Sequence, residues 1–453
     1  LRRPVLHLHL DAGETHPGIG SKVLPPLATH WQQPDQLAEY DAYARSAGPV
    51  AGIVSRGDAA TIDAGALLQT LTDLRRRYPL IVVRASDDLP LDSRLLTDLD
   101  GPVLLGEDES SPANGDPREP QNGAETIILR SGPAAASLRD LATLTRECGA
   151  QVLRVVPGGR AALANERPGR SAGEPWDSVD WTARHFIKRK VGVALGAGGA
   201  KGYAHIGVLE ELDRMGVPVD YIAGTSIGAP IAAAVAAGWS LAEIKQHIDA
   251  ISAHALRPTV PFSSFLSSKR VRREIERISE GKRFDELRLP LAVVAVDLER
   301  REEVVLTEGR VTRAIAASFA IPAIYPPVKI GGRSLVDGGL LNPVPIGTVA
   351  NLGADTVIGV KLTSPVDGDR PRPRRFGLRA PPIVDTIVQA FEVMQWKITT
   401  EGAAQADVTI EPIFKGATGL REFSRGHEFI AAGRHAAAAA RSDIKALLPW
   451  VGT

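Results

Sequence analysis

Two glycine-rich turns carry the residues in this chain that are equipped for chemistry. They read Gly196-Ala197-Gly198-Gly199-Ala200-Lys201-Gly202 and Gly224-Thr225-Ser226-Ile227-Gly228. The second presents a serine hydroxyl in a G-x-S-x-G frame. In that frame the serine sits on a sharp strand-to-helix turn, and the flanking glycines avoid a Cβ that would crowd the backbone. The first has the make-up of a nest of backbone N–H groups, which binds anions. Attack of a serine on an acyl carbon needs both parts, a nucleophile and donors for the oxygen that turns negative.

The elements around the turns can bring them together. Val191–Leu195 and Val219–Ala223 are short apolar runs bounded by glycine, which predicts two buried strands. Between them Ala204, Ile206, Val208, Leu209, Leu212 and Met215 recur at helical spacing, and Gly216-Val217-Pro218 stops the helix. Strand, helix and strand within about thirty residues make a βαβ unit with parallel neighbours. Both turns then fall at the carboxyl ends of adjacent strands, where open α/β sheets bind ligands.

Other uses of the first turn fit less well. A dinucleotide fingerprint needs an acid at the end of the next strand to hold the ribose. That place is taken by Gly224-Thr225-Ser226, and Asp220 is at the strand's beginning. A P-loop is excluded because Lys201 is followed by Gly202-Tyr203. For the second turn the plain alternative is a serine N-cap. It is weakened by the buried strand before Ser226 and the small-residue helix start Ala229-Pro230-Ile231-Ala232 after it.

Ser226 needs a base. The order Ser226, Asp337, His427 would suit a Ser-Asp-His triad. However, His427 lies in the polar run Ser424-Arg425-Gly426-His427-Glu428, which reads as a solvated helix start. His205, inside the helix after the glycine loop, reads as a half-buried, satisfied histidine. Asp337 is the stronger partner. It ends an apolar run and precedes Gly338-Gly339, and the following Leu340-Leu341-Asn342-Pro343-Val344-Pro345 cannot continue a strand ladder. An aspartate near its usual pKa of about 4 is a weak base, but burial raises that value.

Taken together, Gly-x-Gly-x-x-Lys-Gly, G-x-S-x-G and Asp-Gly-Gly in this order resemble the signature of the patatin-like phospholipases. The resemblance runs from about Val191 to about Val360, and includes Ala316-Ala317-Ser318, Ile321-Pro322 and Pro326-Pro327. It implies a three-layer α/β/α hydrolase domain with a mainly parallel sheet, and a Ser-Asp dyad without histidine. Ser226 would be the nucleophile, Asp337 the base, and Gly198 and Gly199 the oxyanion hole. Gly196, Lys201, Gly202, Gly224, Gly228, Gly338 and Gly339 would shape the motifs. Ala197 departs from the glycine that many members carry, yet alanine keeps the N–H. Arg184-His185-Phe186-Ile187-Lys188-Arg189-Lys190 and the preceding α/β segment are most similar to the branch of neuropathy target esterase and its bacterial relatives. Members of that branch often carry cyclic-nucleotide-binding modules upstream. None is visible in this sequence, which opens on Leu1.

The rest of the chain sets bounds. Its 453 residues suggest two or three domains. We divide it into a smaller α/β domain, structural or regulatory, over 1–157, a linker over 158–188, a catalytic core over 189–365, and a basic loop with helices over 366–453. In the first part, apolar runs at Val50–Val54, Leu80–Val83, Val103–Leu105, Thr126–Leu129 and Val152–Val156 alternate with helical stretches such as Ala64–Arg77 and Ala135–Thr145. Zero formal net charge offers no electrostatic case for nucleic acid. A single cysteine, Cys148, excludes an intrachain disulfide framework and fits a cytoplasmic location. No signal peptide opens the sequence, and its apolar stretches fall short of the ~20 residues of a membrane span. His7, His9, His16 and His30 lack the spacing of a metal site, and no metal or organic cofactor is called for.

Two basic runs bear on the substrate. Lys269-Arg270-Val271-Arg272-Arg273 opens a helical stretch. Arg370-Pro371-Arg372-Pro373-Arg374-Arg375 precedes an apolar stripe of Ile383, Ile387, Phe391 and Met394, ending near Trp396. A solvated charge run beside a core stripe is the plain reading. The other is peripheral contact with the inner face of an anionic membrane. The expected activity is hydrolysis of carboxylic esters of phospholipids or lysophospholipids. A triad esterase and a catalytically silent scaffold or nucleotide-binding module are the alternatives.

Overall fold

A computed structural model describes residues 5–11, 22–24, 50–56, 80–85, 103–107, 125–130, 138–148, 151–157, 180–182, 184–185, 188–255, 268–322, 324–362, 383–402, 406–414, 423–449 and 451. The chain falls into two compact units. One comprises 1–106, 112–127 and 148–151, and the other 107–111, 128–147 and 152–453. Strands occur at all five apolar runs of the N-terminal part: β3 (Val50–Arg56), β4 (Leu80–Ala85), β5 (Val103–Glu107), β6 (Glu125–Arg130) and β7 (Gln151–Pro157). With β1 (Val5–Asp11) and β2 (Lys22–Leu24), the first two build a parallel sheet of order β2-β3-β1-β4. Strands β5, β6 and β7 form a second sheet in that order. The expected helix at 135–145 is α1 (Leu138–Cys148), and that at 64–77 lies outside the described residues.

The second unit is built on an eight-stranded sheet. Its strands are β8 (Val191–Leu195), β9 (Tyr221–Thr225), β10 (Leu291–Asp297), β11 (Glu302–Leu306), β12 (Val328–Ile330), β13 (Arg333–Asp337), β14 (Thr356–Val360) and β15 (Val408–Ile410). Strands β10-β9-β8-β14-β15 are parallel in that order, while β11, β12 and β13 add an antiparallel margin. Of these, β8, β9, β10 and β14 are buried on both faces, which is why they read as largely continuous apolar runs.

Period-two alternation sorts those side chains between two helical layers. Val191, Val193 and Leu195 share a core with α2 (Tyr203–Met215), α3 (Gly228–Ala237), α4 (Leu241–Ala255), α5 (Ser268–Ile278), α6 (Val311–Ser318), α9 (Gly426–Ala439) and α10 (Arg441–Leu447). Ala194, Ala223 and Ala292 face the other way, onto α7 (Ile346–Asn351). The result is the expected α/β/α arrangement. Helix α2 stops as its sequence predicts, with Gly216 in the left-handed region at φ 73°. Helices α2 and α9 cross at two glycines. A Cβ on Gly207 would lie 1.9 Å from Ile430 O, and one on Gly433 would lie 2.1 Å from Ala204 O.

Two expectations are displaced. Strand β9 starts at Tyr221 and runs to Thr225, two residues later than its apolar run suggests. Asp220 stands just before it: its N–H donates to Val191 O at 2.8 Å, and its carboxylate accepts Val191 N–H at 2.8 Å and pairs with Arg184 at 2.6 Å. Helix α8 (Ile383–Gly402) turns inward along Phe391, Gln395 and Thr399; of the expected stripe Phe391 is buried, Met394 half-buried and Ile387 exposed, and the side chain of Ile383 lies outside the described residues. The basic run 370–375 lies outside the described residues, and 269–273 falls in α5. Among the described residues no helix is long and apolar enough to cross a membrane, and no group of His, Cys, Asp and Glu is disposed to hold a metal.

Candidate active site

Strand register brings Ser226 to Asp337. Strand β9 pairs with β10 in parallel as far as Thr225↔Val294, and β13 pairs antiparallel as far as Asp337↔Ala295. Strand β11 holds residues 293–297 of β10 from its other edge. Strands β9 and β13 therefore run toward each other along one edge of β10, and their carboxyl ends meet. A Cβ on Gly338 would lie 2.4 Å from Val294 O and 3.1 Å from Thr225 Cγ2, so only a glycine lets the second strand turn away there.

At this junction Ser226 Oγ donates a hydrogen bond to Asp337 Oδ2 at 2.6 Å. Asp337 Oδ1 accepts Gly339 N–H at 2.8 Å. Asp337 is fully buried and Ser226 is 4% exposed. Burial pushes the Asp337 carboxyl up to about 7, against the opposing pull of its bonds from Ser226 and Gly339. The same isolation that raises the pKa makes the carboxylate a better proton acceptor.

Ser226 adopts φ 54°, in the left-handed region that a non-glycine residue rarely enters. Two contacts hold it there. Its N–H donates to Ser318 Oγ at 2.9 Å, and its carbonyl accepts Ala229 N–H at 3.0 Å as α3 begins. A Cβ at Gly224 would sit 2.5 Å from Gly228 O, and one at Gly228 would sit 2.2 Å from Leu195 O. The frame glycines thus let the elbow close on itself and on the neighbouring strand β8.

Strand β8 leads into the glycine loop. Gly196 N–H donates to Val360 O at 3.1 Å, Ala197 N–H to Pro343 O at 2.8 Å, and Lys201 N–H to Gly198 O at 3.1 Å. These bonds tie down the amides on either side of Gly198 and Gly199. Gly199 has φ 55° and begins a 3-10 turn, Gly199–Gly202, that runs into α2. Adjacent parallel strands, with Leu195 opposite Gly224, put this helix start beside the nucleophile elbow. A Cβ at Gly202 would lie 2.3 Å from Ile227 Cγ1, so the two turns touch. Lys201 lies with its ammonium 5.5 Å from the centre of the Phe414 ring.

The histidines stand elsewhere. His427 is exposed at the start of α9. His205 is fully buried, where the sequence suggested half-burial, and only its Nε2 has a partner, Gly196 O at 2.7 Å. Among the described residues no imidazole is hydrogen-bonded to Ser226 or Asp337, so the Ser226-Asp337-His427 arrangement is not assembled.

Sequence reasoning gave no role to Ser318 or Gln395. Ser318 is fully buried on α6 beneath the Ser226 amide. Gln395, 2% exposed on α8, stands against Gly339; a Cβ there would lie 2.1 Å from its amide nitrogen. Ser318 falls within the Ala316-Ala317-Ser318 run of the family resemblance, but nothing in that run tells which residue it meets; Gln395 has no local signal.

The sequence profile described as patatin-like phospholipase matches residues 193–350. An NTE family protein of Mycobacterium tuberculosis is 35% identical over 177 residues, covering 38% of this chain and 49% of that protein. A second NTE family protein of that species is 29% identical over 304 residues, 62% of this chain and 50% of the other. Human patatin-like phospholipase domain-containing protein 6 is 33% identical over 196 residues, 41% of this chain and 14% of that protein. The chain thus spans half or less of the length of these relatives. Among solved structures, VipD from Legionella pneumophila is similar over 56% of this chain and 66% of that chain, with a TM-score of 0.34 and 12% identity. The three motifs and the matched segment agree in extent and order: the chain carries a patatin-like phospholipase domain over residues 193–350.

Proposed function

We propose that this protein is a serine acyl hydrolase that cleaves carboxylic esters of phospholipids or lysophospholipids through a Ser226-Asp337 dyad and an acyl-enzyme. The observation that carries this reading is the 2.6 Å contact from Ser226 Oγ to a buried carboxylate whose pKa is pushed up to about 7. Asp337 Oδ2 takes the proton as Ser226 Oγ bonds to the acyl carbon. The carbonyl oxygen becomes an oxyanion held by the amides of Gly198 and Gly199. Collapse breaks the bond to the alcohol, which leaves with the proton from Asp337. Water, deprotonated by the same carboxylate, then attacks the acyl-enzyme; the bond from the acyl carbon to Ser226 Oγ breaks, Oγ takes the proton back from Asp337, and the fatty acid leaves. These steps use no metal or organic cofactor.

Phospholipid is favoured over small esters by the matched family and by apolar side chains left exposed near the site. Leu341, 44% exposed, follows the Asp337-Gly338-Gly339 turn, against which α8 packs. The same helix exposes Ile387, Val393 and Trp396. This is the side we assign to a lipid surface, with attachment to the cytoplasmic face of a membrane. Turnover of a panel of lysophospholipids, diacyl phospholipids and short acyl esters, with Ser226→Ala as control, tests the assignment. Preference for short soluble esters would replace it with a general carboxylesterase. No turnover of any ester would leave a silent scaffold.

A further inference from the structure

We infer that His205 is a positioning residue for the oxyanion loop. Its imidazole, held neutral, clamps the Gly196 carbonyl and thereby aims the amides of Gly198 and Gly199. The inference rests on the acyl-hydrolase reading of the site and adds to it a group outside the dyad.

The geometry is specific. His205 lies in the first turns of α2, immediately after the loop, and reaches back nine residues to accept no proton but to give one. A carbonyl only accepts, so Nε2 carries the hydrogen in its 2.7 Å bond to Gly196 O. Nδ1 is then a bare lone pair, and it is buried without a partner. Burial also lowers the imidazole pKa to about 4, so the ring stays uncharged where Asp337 titrates.

The bonded peptide group is fixed from two sides. Its carbonyl, on Gly196, is held by His205, and its N–H, on Ala197, by Pro343 O at 2.8 Å. Pro343 belongs to the run that follows Asp337, so this one peptide plane links the loop to the segment bearing the catalytic carboxylate. The next two peptide groups supply the Gly198 and Gly199 amides. Glycines resist rotation poorly, so a fixed plane directly upstream is what keeps those donors aimed.

A core histidine kept only for stability would be a poor choice here. Its orphaned, buried Nδ1 offsets what its bond to Gly196 O contributes, and an apolar side chain of similar size would carry no such orphan of its own. His205→Leu exchanges the orphaned Nδ1 for an unpaired Gly196 O and is expected to fold with a melting temperature near wild type. Its kcat is expected to fall about 10- to 100-fold with KM within about twofold, the pattern of lost transition-state stabilisation. His205→Gln, whose amide N–H can reach Gly196 O, should recover most of the rate, and the shorter His205→Asn should not.

The experiment measures kcat, KM and melting temperature of the full chain and these three variants on one lysophospholipid. Unchanged turnover in His205→Leu overturns the inference, as does activity that simply follows melting temperature across the set. If His205→Leu does not fold, equal rates in the Gln and Asn variants overturn it. A wild-type protein that hydrolyses no ester instead sinks the acyl-hydrolase reading, and this inference with it.

Discussion

Ser226 Oγ and Asp337 Oδ2 are 2.6 Å apart although 111 positions separate them in the chain. They meet because two strands of opposite direction, β9 and β13, end nose to nose on one edge of β10. A hydroxyl at the tip of one strand and a carboxylate at the tip of the other need no third residue to bring them into contact.

The pH profile should show the carboxylate. A proton on Asp337 blocks its action as a base, and its pKa is raised to about 7 by burial. Ester hydrolysis, as kcat/KM, is therefore expected to rise about tenfold per pH unit below that value and to level off above it. A profile already flat from pH 5 upward would place the working base elsewhere.

The same carboxylate should cost stability. In the unfolded chain it titrates near 4, and in the folded chain near 7. Between those values the folded state keeps a proton that the unfolded state has lost, so stability falls as pH rises through the window. Asp337→Asn should thus abolish hydrolysis while raising the melting temperature at pH 8, by on the order of 2 kcal/mol in stability, and raising it less at pH 5. Equal effects at both pH values would mean that the folded carboxyl is not perturbed.

Backbone strain at Ser226 makes a separate prediction. With φ at 54°, glycine suits the position better than any L-residue. Ser226→Gly and Ser226→Ala should both be inactive, but the glycine variant should be more stable by about 1 kcal/mol. Chemical denaturation of the pair reads this difference, and a more stable alanine variant would contradict it.

Ser318 should matter for rate. Its hydroxyl oxygen accepts the Ser226 N–H in a fully buried place. Ser318→Ala leaves that donor unpaired next to a strained residue, at a cost of roughly 1–3 kcal/mol. Both stability and kcat should fall, the latter about tenfold or more. Wild-type kinetics in this variant would show that the elbow holds itself.

Much of this was legible in the sequence, for local reasons. The strand at Val191–Leu195, the helix after it and its stop at Gly216 follow from apolar spacing and glycine. The two turns and Asp337 announce themselves by composition. What could not be read locally is what depends on meeting partners. Strand β9 starts two residues late, just after Asp220, whose carboxylate meets Arg184 and the Val191 amide. Helix α8 buries Gln395 in place of Ile387 because Gly339 leaves room for an amide. Ser318 reaches Ser226 across 92 positions, a relation no spacing rule contains.

The central claim is that Ser226 is a nucleophile activated by Asp337, and a fluorophosphonate tests it most directly. Folded wild-type protein should take up one equivalent, with peptide mass spectrometry placing the adduct on Ser226. Ser226→Ala should take up none, and Asp337→Asn should react far more slowly. Folded wild-type protein that stays unlabelled, or that is labelled at another serine, would contradict the account.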